Sequence, residues 1–234
     1  MRCSYQQHRK QHYIRRQPVP ILIEEWKQQY CMAVQAAFGK RVRFIGLQGS
    51  YGRGEATEHS DIDVVLLLGE VMLDDLKQYR ALLAQLPHRA LVCGFVAGYR
   101  QLAGWEKGDL LTFLLDTVPW QGSLQQLQQQ VGPADAQQSV ITGAGNIYHA
   151  CVHNYLHERS EEVLAALQKS AFFVLRAACY ARTGQFIKRR DELQAQLTPG
   201  EKALLTMAPK LEERTPALLH WAGNLLAQNA PAAN

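Results

Sequence analysis

Two apolar runs frame a short polar segment, and the spacing inside that segment constrains how the first half of the chain folds. Gly49-Ser50 follows the first run, and Asp61 and Asp63 open the second. Side chains two residues apart on a β-strand project from the same face. The pattern therefore predicts two strands joined by a short helix, with both aspartates on one face and Ile62 turned into the core.

The paired aspartates predict a magnesium site. Two neighbouring carboxylates repel each other unless a cation lies between them. Mg²⁺ binds oxygen ligands and usually completes its shell with substrate phosphates, and a pair of such ions can hold both oxygens of an in-line displacement. Asp61 and Asp63 are therefore the candidate metal ligands and catalytic residues.

The glycine and the serine predict a phosphate site next to the metal. A helix that begins after glycine offers free backbone N–H groups to an anion. Gly49 allows the backbone to approach closely, Ser50 adds a hydroxyl donor, and Arg53 adds a positive charge one turn later. We expect these three residues to hold a triphosphate.

This set of residues resembles the signature of the polymerase-β-like nucleotidyltransferases. The resemblance is strongest over residues 44–68. It extends more weakly to aminoglycoside adenylyltransferases and to minimal nucleotidyltransferases with a HEPN-like or substrate-binding helical domain. It implies transfer of a nucleoside monophosphate to an acceptor, with Mg²⁺ as the cofactor. ATP is the expected donor, because members of the family mostly adenylylate.

A third carboxylate is common on a neighbouring strand in this family. Asp109 and Asp116 lie in one apolar run that we predict to be a strand, and their odd spacing would point them to opposite faces. The run leads into Pro119-Trp120 and resembles the corresponding strand of streptomycin/spectinomycin-type adenylyltransferases. That resemblance favours Asp109 as the general base and leaves Asp116 as the alternative.

Composition along the chain predicts four segments. Residues 1–17 form a basic extension with five basic residues and no acid. Residues 18–120 alternate apolar runs with helical patterns, which predicts an α/β nucleotidyltransferase domain with a small mixed sheet and flanking helices. Residues 121–139 are rich in Gln and contain Gly and Pro, which indicates a linker. Residues 140–234 carry repeated helix-capping signals, which predicts an all-α bundle that binds substrate or nucleotide.

The helical half contains basic residues that the resemblance connects with ATP. In the same adenylyltransferases, an arginine before a Thr-Gly turn and a basic residue after it contact ATP. The matching positions here are Arg176 and Arg189, with Lys169 and Lys188 beside them. The alternative is that all four are solvated charges on helix surfaces.

Three histidines, His149, His153 and His157, recur every four residues. Two histidines one turn apart can share a metal ion, but three along one helix cannot all reach the same ion. We expect a polar face that lines the cleft between the domains, with His153 and Asn154 near the acceptor.

The charge balance argues against a nucleic-acid acceptor. The formal net charge is +4, but outside residues 1–17 the acids exceed the bases by one, whereas polynucleotide substrates call for a basic surface. No apolar run approaches the ~20 residues that span a bilayer, and no signal-peptide pattern follows the N-terminal charges. The five cysteines are scattered, so we expect free thiols and a cytoplasmic protein.

These observations leave three alternatives for the acceptor. The first is a small molecule such as an aminoglycoside. The second is a protein partner, as in adenylyltransferases of the toxin–antitoxin type. The third is no acceptor at all, if the chain is a catalytically silent nucleotide-binding module. The intact pair of Asp61 and Asp63 argues against this third alternative.

Overall fold

The computed structural model describes residues 21–208 and 210–230, so the predicted basic extension lies outside the described residues. Within this range, four strands form one mixed sheet in the order β3-β2-β1-β4. β1 is antiparallel to both β2 and β4, and β2 is parallel to β3. The predicted small mixed sheet is confirmed. The strands are β1 Val42–Gln48, β2 Ile62–Leu68, β3 Val92–Gly98 and β4 Val118–Gly122.

Six α-helices accompany the sheet in the described part of this half. Even-numbered residues of β2, such as Ile62, pack with α1 and α3, whereas odd-numbered residues such as Val65 pack with α5. Both faces of the central strand are therefore buried, which explains its continuous apolar run. The helices are α1 Ile23–Phe38, α2 Gly49–Arg53, α3 Leu73–Leu83, α4 Tyr99–Ala103, α5 Lys107–Asp116 and α6 Gln125–Gln128, with 3₁₀ turns at Gly39–Arg41 and Arg89–Leu91.

The run that contains Asp109 and Asp116 is a helix, so the predicted strand was wrong. The Glu106 side chain caps α5 by accepting from the Asp109 backbone N–H at 3.0 Å. A short apolar run does not distinguish a buried strand from a buried helix by its pattern alone. The strand comes later, as β4, and it lies at the sheet edge, where its Pro119 disturbs no inner ladder.

The second half is helical, as predicted. α7 and α8 pack closely, because a side chain on Gly143 would lie 2.4 Å from Val174 Cγ2. α11 packs against both of these helices. The elements are α7 Pro133–His153, a π-helical turn Asn154–Glu158, α8 Glu161–Thr183, α9 Arg190–Gln196, α10 Pro199–Thr206 and α11 Leu211–Gln228.

The predicted linker at 121–139 contains the end of β4, all of α6 and the start of α7. Its Leu124, Leu127 and Ala136 are buried in the same cluster as Phe44 of the sheet. The segment therefore packs onto the first half of the protein along its length, whereas the division into domains stays a prediction.

α8 is long and apolar enough to cross a membrane by length and composition, but 61% of its apolar window is buried inside the protein. This is the pattern of a helix that packs in the protein core. The predicted cytoplasmic location stays a prediction.

Candidate functional site

The two aspartates lie where β2 begins. Ile62 is fully buried, whereas Asp61 is exposed and Asp63 is partly exposed, as the strand alternation predicted. In the sheet register, Asp63 is opposite Gln48 of β1 on one side and Cys93 of β3 on the other. Both aspartates therefore lie at the end of the sheet where β1 finishes and α2 begins.

Gly49 is required at its position for two independent reasons. Its φ is +67°, a conformation that residues with a side chain rarely adopt. A β-carbon on Gly49 would also lie 2.0 Å from Asp63 Oδ2. The glycine therefore brings the first turn of α2 directly against the candidate metal ligand.

Asp116 lies on the other side of this turn, at the end of α5. Its Oδ2 accepts the Gly49 backbone N–H at 3.2 Å, and its Oδ1 accepts from Arg53 Nη1 and Arg176 Nη1, each at 2.8 Å. The residue is 7% exposed. One buried carboxylate thus joins α2, α5 and α8.

Arg176 is 2% exposed and has further contacts in the protein interior. Besides Asp116, it donates to the backbone carbonyls of Leu115 and Ile187. Burial lowers the pKa of Arg176, and the nearby Asp116 opposes that effect. The ATP contact that the resemblance implied for Arg176 would need these protein contacts to open.

A cationic cavity lies at the far end of α2, between that helix and the segment that joins α8 to α9. Its volume is about 500 Å³, and a second cavity of about 310 Å³ lies beside it and shares Arg53 and Arg189. The Lys188 ammonium reaches inward and donates to the Thr117 carbonyl at 2.6 Å. The larger cavity, called the cationic cavity below, is lined by Tyr51, Gly52, Arg53, Gly54, Val118, Phe186, Lys188, Arg189 and Glu192.

The ring of Phe172 lies among three arginines of this region. The guanidinium carbons of Arg53, Arg176 and Arg190 are 5.4 Å, 5.5 Å and 5.4 Å from its centroid. Arginines that lie over an aromatic face gain a favourable cation–π interaction. Phe172 therefore helps to hold several positive charges close together beside α2.

Comparison with known proteins gives two findings. A structure of spectinomycin adenyltransferase AAD(9) from Enterococcus faecialis, solved with ATP and spectinomycin, aligns with a TM-score of 0.52 and 12% identity. The alignment covers 87% of this chain and 99% of that chain, so the two share a fold. Residues 32–92, which contain Gly49, Asp61 and Asp63, match the family model described as a nucleotidyltransferase domain. Residues 32–92 of the chain therefore carry a nucleotidyltransferase domain, within a fold shared with an adenyltransferase. No curated protein matches it.

Other predicted site residues lie apart from this site. Asp109 is exposed in the first turn of α5, at the opposite end of the helix from Asp116. Lys169 is exposed on α8 and does not line either cavity. Of the two candidate third acids, the structure brings Asp116 to the Gly49 turn, and the preference for Asp109 rested on a strand that does not exist.

The three histidines His149, His153 and His157 lie on an exposed face of α7 and the π-helical turn. His153 and His157 have ring centroids 4.9 Å apart, and His153 Nδ1 lies 3.2 Å from Glu158 Oε1. Among the described residues, no group of three or more His, Cys, Asp or Glu is arranged to hold a metal. Asn154 is fully buried and exchanges two hydrogen bonds with Ser160, so its predicted contact with an acceptor was wrong.

Several residues of the site gave no separate signal in the sequence. Gln48 ties the end of β1 to α5, because its Nε2 donates to Thr117 Oγ1 at 2.7 Å and to the Phe113 carbonyl at 3.2 Å. In the sequence, nothing distinguishes Phe172 from an ordinary core residue of its helix. Gln48 is a neighbour of the site because it lies opposite Asp63 in the strand register.

Proposed function

We propose that this nucleotidyltransferase moves AMP from ATP to a hydroxyl of a small, cationic, aminoglycoside-like acceptor in a reaction that depends on Mg²⁺. The observation that carries the proposal is the position of α2. Its first turn lies against Asp63, and its last turn lines the cationic cavity. A triphosphate laid along this helix would meet a metal at one end and fixed positive charges at the other.

The residues present fit Mg²⁺. That ion is typically held by one or two carboxylates and completes its octahedron with water and substrate phosphates. Asp61 and Asp63 supply such a pair at an exposed strand end, so a third protein ligand is not needed. When bound, the metal would stabilise the charge that develops on the transferring phosphoryl group and on the leaving pyrophosphate.

The chain's own residues would orient the donor. Gly49 and Ser50 place the backbone of the turn beside the phosphates, and Arg53, Lys188 and Arg189 supply positive charge. Because Lys188 is half-buried, its ammonium lies in a setting of low dielectric, where its attraction to phosphate is stronger than in water. Asp109, the general base that the resemblance favoured, lies at the opposite end of α5 from the Gly49 turn, so the proposal gives it no role in proton transfer.

The loop between α2 and β2 favours a cationic acceptor. It carries Glu55, Glu58 and Asp61 and contains no Lys or Arg. Glu58 is exposed and is not a proposed metal ligand, so its charge is available to an incoming acceptor. The structural neighbour was solved with spectinomycin, which is the first acceptor to test here.

The test is transfer of label from α-³²P-ATP to a panel of spectinomycin and aminoglycosides in the presence of Mg²⁺. Asp63→Asn is the inactive variant, and Asp74→Asn, an exposed aspartate of α3, is the matched control. Labelled drug from the native enzyme and from Asp74→Asn, but not from Asp63→Asn, supports the proposal. Binding of ATP without any labelled drug would reject this acceptor class and direct the search to a protein partner.

A further inference from the structure

The Asp116 carboxylate is occupied on both oxygens by donors from the protein. Two guanidinium groups bind Oδ1, and the Gly49 N–H binds Oδ2. Its side chain is 8% exposed. Protonation would remove the negative charge that both guanidinium groups interact with, so the two ion pairs oppose uptake of a proton from a substrate. This arrangement does not suit a general base.

The two arginines are fixed by other contacts as well. Arg53 donates through Nε to Glu55 Oε2 at 3.0 Å, within the loop that leads to the aspartates. Arg176 is held on α8 by the backbone carbonyls of Leu115 and Ile187. The carboxylate therefore connects the helical half of the protein to α2 through side chains that are largely withdrawn from solvent.

Gly49 contacts both Asp116 and the candidate metal ligand Asp63. The same residue that donates its N–H to Asp116 has its α-carbon packed against Asp63 Oδ2. We infer that Asp116 is a positioning residue that fixes the Gly49-Ser50 turn against Asp63 and couples it to α8 through Arg176. It does not take the acceptor's proton. The inference depends on the proposed function only for its activity measurement.

The structural part of the test is a double-mutant cycle with Asp116→Asn and Arg176→Met. Each single change leaves a buried partner without its charge, so each should lower the melting temperature by on the order of 10 °C. The double variant should lose clearly less than the sum of the two, because the groups are directly coupled. Hydrogen exchange at the Gly49 amide should become at least tenfold faster in Asp116→Asn than in the native protein.

The activity part separates positioning from chemistry. In Asp116→Asn, the KM for ATP should rise about tenfold while kcat falls less than tenfold, and the shape of the pH–rate profile should not change. Asp116→Glu, which keeps the charge, should recover part of the ATP affinity. Asp74→Asn on α3 serves as the control for a lost surface carboxylate.

Two patterns would overturn the inference. A general base predicts that Asp116→Asn lowers kcat at least a thousandfold, removes the acidic limb of the pH profile and leaves Gly49 exchange unchanged. If the ion pair has only a structural role, Asp116→Asn should lower the melting temperature and leave the KM for ATP at its native value. If the native protein transfers no nucleotide, the proposed function fails, while the Gly49 exchange and the double-mutant cycle still decide the role of Asp116.

Discussion

The acidic side of the candidate site comes from one short segment of the chain, whereas the cationic side combines segments that are far apart in the sequence. Asp61 and Asp63 flank Ile62 at the start of a single strand, whereas Arg53 lies on α2, Asp116 on α5 and Lys188 in the segment between α8 and α9. Strand geometry alone sets the first pair. The second set exists only when α2, α5 and the segment after α8 are packed together. Damage to the first side should abolish chemistry, and damage to the second should weaken binding of the donor.

The largest effect is expected from Asp63→Asn. Loss of one carboxylate from the pair removes a metal ligand while the strand and its buried neighbour Ile62 stay in place. We expect AMP transfer to fall at least about a thousandfold, because metal stabilisation of the transferring group is lost. The measurement is label transfer as a function of Mg²⁺ concentration. Substantial activity in Asp63→Asn at saturating Mg²⁺ would contradict the assignment of this residue as a ligand.

A large effect that combines stability and activity is expected from Gly49→Ala. The alanine would have to adopt a positive φ and would collide with Asp63, at a cost of about 2 kcal/mol or more in the free energy of unfolding. Because the collision displaces Asp63, turnover should fall about a hundredfold. Thermal unfolding and label transfer measure the two consequences.

Gly145→Ala is the matched control for this change. Gly145 lies inside α7, and a β-carbon there would meet nothing within 4 Å. Alanine should raise the free energy of unfolding by up to about 1 kcal/mol because it is the better helix former. Native-like stability and turnover in Gly49→Ala would show that the turn is not held in the arrangement described above.

A moderate effect is expected from Arg189→Gln. This side chain lines both cavities but is 58% exposed, so solvent and salt screen its charge. We expect ATP affinity to fall about three- to tenfold at low salt, and less at high salt. Calorimetric titration with an uncleavable ATP analogue in the presence of Mg²⁺ measures this affinity at each salt concentration.

Arg182→Gln provides the control, since Arg182 is also half-exposed and paired with one carboxylate, that of Glu201, but does not line the cationic cavity. Equal losses in Arg182→Gln and Arg189→Gln would reject a specific role for the cavity. Lys169→Gln tests the one predicted nucleotide contact that the structure leaves on an exposed face of α8, and it should affect ATP affinity less than Arg189→Gln does.

The same contrast explains which predictions the sequence supported. The strands on either side of Gly49-Ser50 and the exposure of both aspartates were correct, because they depend on alternation along a few consecutive residues. The strand predicted through Asp109 was wrong, because a short, fully buried run lacks the polar positions that distinguish a helix from a strand. The ion pairs of Asp116 connect residues 60 and 63 positions apart, and no local pattern encodes such a contact.

The smallest effect concerns the pH dependence that Lys188 introduces. Burial lowers the pKa of its ammonium, the charge of Arg176 lowers it further, and Asp116 opposes both. The unfolded chain therefore binds more protons than the folded one between this lowered pKa and the ordinary value of a lysine. The free energy of unfolding should rise with pH across that window. Binding of ATP should weaken over the same window, because the neutral amine no longer attracts phosphate.

Lys188→Met isolates this contribution. The variant should lose the rise in stability at alkaline pH and should bind ATP less tightly at neutral pH than the native protein does, by a few-fold. Urea unfolding at a series of pH values, paired with titration of the ATP analogue, follows both quantities. If the native and the variant proteins show parallel curves of stability against pH, Lys188 is not the group that titrates. If the variant also binds the ATP analogue as tightly as the native protein does, the Lys188 ammonium beside Thr117 is a structural contact that contributes nothing to donor binding.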